Sequence, residues 1–254
     1  MHPRPRVGQH CATTVDLSGF DGRMTETVLD GAIDLLLGGS CVGCARPGRL
    51  LCSDCRAELP DAATLSWPTP VPPGLVEPWA AGVYEATLRA MVLGLKERRL
   101  LGLAVPLSRL LAAAVACELP RGSPVVLVPV PSRPRTVRAR GHDPTHTITV
   151  RAGRHLRSGG FDVETRRLLR LRAGVVDQAG LDATARAANL AGSMQARASA
   201  VRRLLRRGPQ LRVVVCDDVL TTGSTAREAQ RALEEAGLDV VRVAAVAATT
   251  RRLS

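Results

Sequence analysis

The sequence predicts an α/β fold, a parallel sheet flanked by helices with a small zinc-binding module ahead of it. Three observations carry this. Over residues 80–254 short apolar runs alternate with stretches of helical period, the pattern of parallel strands joined by crossover helices. The run Val213-Val214-Val215-Cys216 reads as a buried strand. It is followed by Asp217-Asp218 and by a small, hydroxyl-rich turn, Thr221-Thr222-Gly223-Ser224-Thr225, that opens a further periodic segment. Upstream, Cys41-x-x-Cys44 and Cys52-x-x-Cys55 form two knuckles separated by seven residues, a spacing suited to tetrahedral Cys₄ zinc.

In order along the chain, residues 1–23 contain arginines but no apolar stretch like that of a signal peptide, and read as a disordered tail. Met24 opens the first periodic segment and is an alternative start. Residues 24–60 read as a helix plus the Cys₄ module. The helix, 25–37, pairs Val28 with Ala32, Leu29 with Ile33 and Ile33 with Leu37, and Gly38-Gly39 stops it. The knuckles are too small to fold by burial and lean on the metal, worth about 10–16 kcal/mol for structural zinc; the competing reading is a pair of redox dithiols. Cys11, Cys117 and Cys216 read as unpaired, which with the thiolate knuckles points to a reducing, cytoplasmic location. Residues 61–79 read as a linker or extended strap, since six prolines fall between 60 and 78.

The larger domain then occupies 80–254. Strands are expected at 81–84, 125–130, 163–171, 213–216 and 240–247. Helices are expected at 86–100, 106–117, 145–156 and 224–236, with 183–193 a mobile or partly helical loop. His142, His146 and His155 read as solvated helix residues rather than ligands, because no third partner is evident.

Charge and composition narrow the function classes. The net charge is +12, and of the 35 Lys plus Arg residues Lys96 alone is lysine. Eleven arginines against three acids lie between 131 and 172, and six arginines without an acid between 197 and 212, a field that attracts phosphates. Two Trp, two Phe and one Tyr argue against gripping a strand by base stacking. No run approaches the ~20 apolar residues of a membrane span, and no Gly-x-x-x-x-Gly-Lys phosphate loop occurs.

Paired acids beside a phosphate cradle repel a bare phosphate. They make sense if they hold ribose hydroxyls or act with Mg²⁺, which makes the expected ligand a sugar phosphate. The thirteen residues from Val213 to Thr225 resemble the phosphoribosyl pyrophosphate (PRPP) motif of type I phosphoribosyltransferases. That resemblance implies that Asp217 and Asp218 hold the ribose 2′ and 3′ hydroxyls, that Thr221, Thr222, Gly223, Ser224 and Thr225 wrap the 5′-phosphate, and that the sheet is of the type I phosphoribosyltransferase kind. Read outward, the chain resembles the ComF family over about residues 29–250. The shared order is the Cys₄ knuckle, the Lys96-bearing helix, Val128-Pro129-Val130-Pro131, Arg138-x-Arg140-Gly141, then Gln178, Arg186 and Asn189, and last the Asp-Asp box. This resemblance implies a pyrophosphate loop at Pro129, Val130, Pro131 and Arg133, a flexible hood at Gln178, Arg186 and Asn189, and Mg²⁺ acting with PRPP. It also implies a role in DNA uptake or processing during natural competence, with single-stranded DNA and helicase or recombination proteins as partners. Arg138 and Arg140 are the expected nucleic-acid contacts. The alternative function is an active Mg²⁺-dependent phosphoribosyltransferase acting on a nucleobase or amine. Two departures stand out: Arg140-Gly141 continues as His142-Asp143-Pro144 where the family has Phe-Asn-Gln, and a second pair of knuckles is replaced by prolines.

Overall fold

The computed structural model describes Cys11 and residues 39–172, 191–206 and 211–249. The expected helix at 25–37 and the hood residues Gln178, Arg186 and Asn189 lie outside the described residues.

Eight strands and seven α-helices are described. They are α1 (Ser53–Ala57), β1 (Thr64–Leu65), β2 (Pro78–Val83), α2 (Ala86–Glu97), α3 (Ala104–Ala116), β3 (Val125–Pro129), α4 (Pro134–Arg140), α5 (Pro144–Ser158), β4 (Val163–Thr165), β5 (Leu169–Leu171), β6 (Met194–Ala196), α6 (Ala198–Leu205), β7 (Arg212–Leu220), α7 (Ser224–Glu234) and β8 (Asp239–Ala248). Six strands form one sheet in the order β1-β2-β8-β7-β3-β4, all parallel except the β1 edge, while β5 and β6 make a separate antiparallel ribbon.

Alternation along the central strands separates two cores, because successive side chains leave opposite faces of a strand. Val214, Cys216, Ala244 and Val246 face α2, α3 and α5, whereas Val213, Val215, Val243 and Ala245 face α6, α7 and the ribbon. Both faces are covered, which is why Val213 to Cys216 of β7 and Val243 to Ala248 of β8 read as continuous apolar runs. The knuckle residues Cys41, Leu51 and Cys55 belong to the first of these cores, so the Cys₄ segment packs onto the same interior as α2 and α3.

Several elements differ from their sequence expectations. The proline-rich segment carries β1 and the start of β2, since Pro78 can take the first position of a strand. The single strand expected at 163–171 is two, β4 in the large sheet and β5 in the ribbon. The turn lies between them, where Leu168 N–H donates to Arg166 C=O. Three helices were not anticipated: α1, which Cys52 caps inside the second knuckle, α4, with Pro134 in its first turn, and α6, whose buried Val201 and Leu204 sit three apart. Cys11 and Cys117 are disulfide-bonded, with Cα atoms 5.5 Å apart, which corrects their reading as unpaired; Cys216 is a free, buried thiol as expected. The spacing of 106 residues gave no local signal for that bond.

The histidines are half-buried rather than solvated. The His142 ring lies between the carbonyls of Arg140 and Leu95, at 3.2 and 3.0 Å. His155 Nε2 lies 3.1 Å from Ser108 Oγ, joining α5 to α3. Burial first and neighbouring arginines second hold the pKa values of His146 and His155 below the ordinary imidazole value.

Candidate functional site

The site is created by one strand outlasting its neighbour. β3 ends at Pro129, opposite Cys216, and Val130 N–H makes the last bond to Cys216 C=O at 2.9 Å. Pro131 has no N–H to continue the ladder. β7 runs on to Leu220, paired only with β8, so Asp217 and Asp218 project where the β3 side has opened. From β3 the chain crosses to β4 on one side, and from β7 to β8 on the other. This is the topological switch point at which open α/β sheets bind ligands.

A cleft of ≈ 290 Å³ occupies this opening. Its walls include Lys96 from α2, Val130 to Arg133 after β3, Arg140 from α4, Thr145 from α5, and both aspartates. Asp218 is buried, and its Oδ2 takes Lys96 Nζ at 2.7 Å and Thr145 Oγ1 at 3.1 Å. Burial works against the Lys96 ammonium, but Asp218 and then Asp217 more than compensate, so its pKa lies above the usual lysine value. Asp217 accepts the Asp218 N–H at 2.9 Å. Burial, with the Asp218 charge added to it, pushes the Asp217 pKa up to about 8.

The loop after β3 is fastened by Asp143, one of the residues where the chain departs from the ComF pattern. Its Oδ1 accepts Ser132 Oγ at 2.9 Å and the His146 N–H at 3.3 Å, so one carboxylate caps α5 and anchors the loop.

The predicted residues are partly brought together. Val130, Pro131 and Arg133 line the cleft with the aspartates; Pro129 ends β3 beneath it. Arg140 lines it too and pairs with Glu97, whereas Arg138 is exposed on α4, so these two arginines do not share one surface. Thr221 to Thr225 lie beyond the cleft lining, at the start of α7. There Gly223 is the left-handed cap (φ +71°) and Thr222 Oγ1 donates to Ser224 Oγ at 3.0 Å. Ser224 occupies the first helical position, where backbone N–H groups are without intrahelical partners and anions are favoured. Over this turn lies the proline strap. A Cβ on Gly223 would meet Pro68 at 2.8 Å, Pro72 at 3.2 Å and Leu75 at 3.3 Å.

Sequence reasoning missed Thr145, which carries no motif of its own. It also left Lys96 without a role, although its being the only lysine in the chain was a visible signal.

The four knuckle sulfurs lie within 4.8 Å of one another, and Cys44 and Cys52 Sγ are 3.6 Å apart. Tetrahedral zinc with sulfurs at ~2.3 Å requires them ~3.8 Å apart, so the donor set fits that ion. Burial opposes ionisation of Cys41, but N–H groups of Cys52, Cys44 and Gly43 directed at its sulfur bring its pKa down to about 6. Gly43 is required by the close approach: a Cβ there would meet Cys55 Sγ at 2.8 Å and Thr87 Oγ1 at 2.9 Å. For Mg²⁺ the cleft supplies two carboxylates. That is a sufficient protein contribution for an ion that takes its remaining ligands from phosphate and water.

The parallel sheet with acids at its switch point defines a nucleotide- or sugar-phosphate-type α/β domain. Residues 159–253 match the phosphoribosyl transferase domain, so the chain carries that domain, and the match runs from the end of α5 through β7, the paired acids and α7 to β8. No curated protein matches the chain. Among the described residues, no helix is long and apolar enough to cross a membrane.

Proposed function

We propose that the chain binds PRPP or a related sugar phosphate across the carboxyl ends of β3 and β7. The observation that carries this reading is the placement of Asp217 and Asp218 on the opened edge of β7, with four residues between Asp218 and the left-handed glycine that starts α7. Asp217 and Asp218 accept the ribose hydroxyls, and the residues Thr221 to Thr225 direct the α7 N-terminus at the 5′-phosphate. The loop from Pro129 to Arg133, with Lys96 and Arg140 on the same cleft, faces the pyrophosphate end. Mg²⁺ would enter with the pyrophosphate of the ligand beside Asp217, and that ion would supply charge neutralisation for a departing pyrophosphate. Zinc at Cys41, Cys44, Cys52 and Cys55 is structural, supporting the segment that leads into α2.

The finer assignment is to a ComF-type protein of natural competence, acting on single-stranded DNA with helicase or recombination proteins. Its support is the order of motifs from the Cys₄ knuckle to the Asp-Asp box and the arginine excess between 131 and 172. The free thiols of the Cys₄ set favour a reducing, cytoplasmic location; the Cys11–Cys117 bond is the contrary feature, since such a compartment opens most disulfides.

Calorimetric titration with PRPP and Mg²⁺ tests the central reading. Asp218→Asn should weaken binding by roughly 1.5–3 kcal/mol, the range for hydrogen bonds to a charged group, and Asp217→Asn by a smaller amount, about 0.5–1.5 kcal/mol, because burial raises the pKa of that carboxyl. Wild-type protein that binds neither PRPP nor ribose 5-phosphate at millimolar concentration would refute it.

A further inference from the structure

The cleft contains a cation of its own. Lys96 places its ammonium 2.7 Å from Asp218 Oδ2, with its side chain 26 % exposed against 10 % for the aspartate. Two arginines line the same cleft, so positive charge alone does not explain a lysine in this chain of arginines. What distinguishes the ammonium is that it is a compact point charge able to share one carboxylate oxygen with the Thr145 hydroxyl, whereas a guanidinium fork seeks two acceptors in a plane.

The backbone on both sides of Lys96 is also held. The C=O of Leu95 faces His142 Nε2 at 3.0 Å, and the side chain of Glu97 pairs with Arg140. Both partners belong to α4 or the turn after it, so the end of α2 is fastened to the segment that borders the pyrophosphate end of the cleft. Lys96 and Thr145 thus both engage Asp218 through Oδ2. A divalent ion ligated by the same Oδ2 would stand against the ammonium. Lys96 and a metal are therefore alternatives at that atom.

We propose that Lys96 is the resident cation of this site, a positioning residue that balances the buried Asp218 carboxylate and orients it toward the ribose hydroxyls, and that it thereby makes sugar-phosphate binding tolerant of Mg²⁺ removal. The inference rests on the sugar-phosphate reading above. In that complex the ammonium balances the buried carboxylate without an external ion, and Mg²⁺ is left to the pyrophosphate.

The test is calorimetry with ribose 5-phosphate, which has the diol and the 5′-phosphate but no pyrophosphate to bring its own metal. Wild-type Kd should agree within about twofold between EDTA and Mg²⁺, while Lys96→Met in EDTA should bind at least about tenfold more weakly, with partial recovery in Mg²⁺. Lys96→Gln, which keeps a donor but no charge, should fall with Lys96→Met and serves if the latter melts early. In an Asp218→Asn background the same lysine substitutions should change Kd by less than about twofold, since the lysine acts through that carboxylate. Equal binding by wild type and both lysine variants in EDTA overturns the inference. So does an undiminished loss in the Asp218→Asn background, or a wild-type requirement for Mg²⁺. No binding by wild type in either condition instead overturns the sugar-phosphate reading itself.

Discussion

Substituting Gly223 by alanine probes the junction on which the phosphate loop, α7 and the proline strap all depend. At φ +71° an L-residue is strained by about 1–2 kcal/mol, the ordinary excess of the left-handed region. The added methyl would also stand 2.8 Å from Pro68 Cγ and 3.2 Å from Pro72 Cγ. Both neighbours are ring atoms that cannot rotate away, so overpacking adds about 1–3 kcal/mol. The total is roughly 2–5 kcal/mol. Gly237 supplies the control: it is equally left-handed (φ +82°), but a Cβ there has nothing within 4 Å. Gly237→Ala should therefore cost only the backbone strain, about 1–2 kcal/mol. Urea unfolding of both variants, followed by far-ultraviolet circular dichroism, measures the difference, which isolates the contact with the strap. In a thermal melt each kcal/mol should lower Tm by about 2–4 °C for a chain of this size. Equal losses for the two variants would refute the reasoning, because they would mean that the strap does not press on Gly223.

Protein purified under reducing conditions should contain about one zinc per chain by elemental analysis, and Cys52→Ser should release it while the phosphoribosyl transferase domain keeps its circular dichroism; metal-free wild type would remove the assignment. Asp217 gives a pH signature. Its folded pKa of about 8 exceeds the unfolded value of about 3.9, so the folded state binds the proton more tightly, and the associated stability is full below pH ~4 and lost as pH rises through 8. Urea midpoints taken from pH 5 to 9 should fall less steeply with pH for Asp217→Asn than for wild type, and the variant should be the more stable of the two at pH 9.

The central elements were legible because their signals are local. β3, β7 and β8 are apolar runs long enough to require burial on both faces, and Asp217-Asp218 before Thr221-Thr222-Gly223 is a contiguous string. Boundaries moved by one to four residues, the most where pairing continued past the pattern, as β7 continues to Leu220. What was illegible depends on contacts distant in sequence. Thr145 reaches Asp218 across 73 residues and Lys96 across 122, and nothing around Thr145 marks it as part of a site. The split between β4 and β5 was hidden because Val163 to Leu171 passes for one strand with a mixed face, and the change of sheet is made by hydrogen bonds between backbones. Asp143 was read as a departure from a family pattern. Its actual work, capping α5 while holding Ser132, follows from an aspartate preceding Pro144 at a helix start.

One helix ties these distant contacts together, and its sequence shows how. α7 buries Ala226, Ala229, Ala232 and Leu233 against the sheet, the three-and-four spacing of an inward face. On one flank Arg227 Nε donates to Pro73 C=O at 2.9 Å, Gln230 Nε2 to Gly74 C=O at 2.9 Å, and Gln230 Oε1 accepts the Val76 N–H at 3.1 Å. Those bonds hold the strap that presses on Gly223. On the other flank Glu228 accepts the Met194 N–H at 2.8 Å, and Arg231 donates to both Glu228 and Met194 C=O, so both backbone groups of the first residue of β6 are satisfied by one helix. Burial alone would raise the Glu228 pKa, but Arg231 and the amides directed at it hold the carboxylate below its ordinary range, so this anchor stays charged at neutral pH. The helix that begins at Gly223 therefore also carries the strap on one side and the ribbon on the other. Any shift of α7 on ligand binding must be transmitted to both, because neither contact can slide without leaving a polar group of the strap or of β6 unpaired.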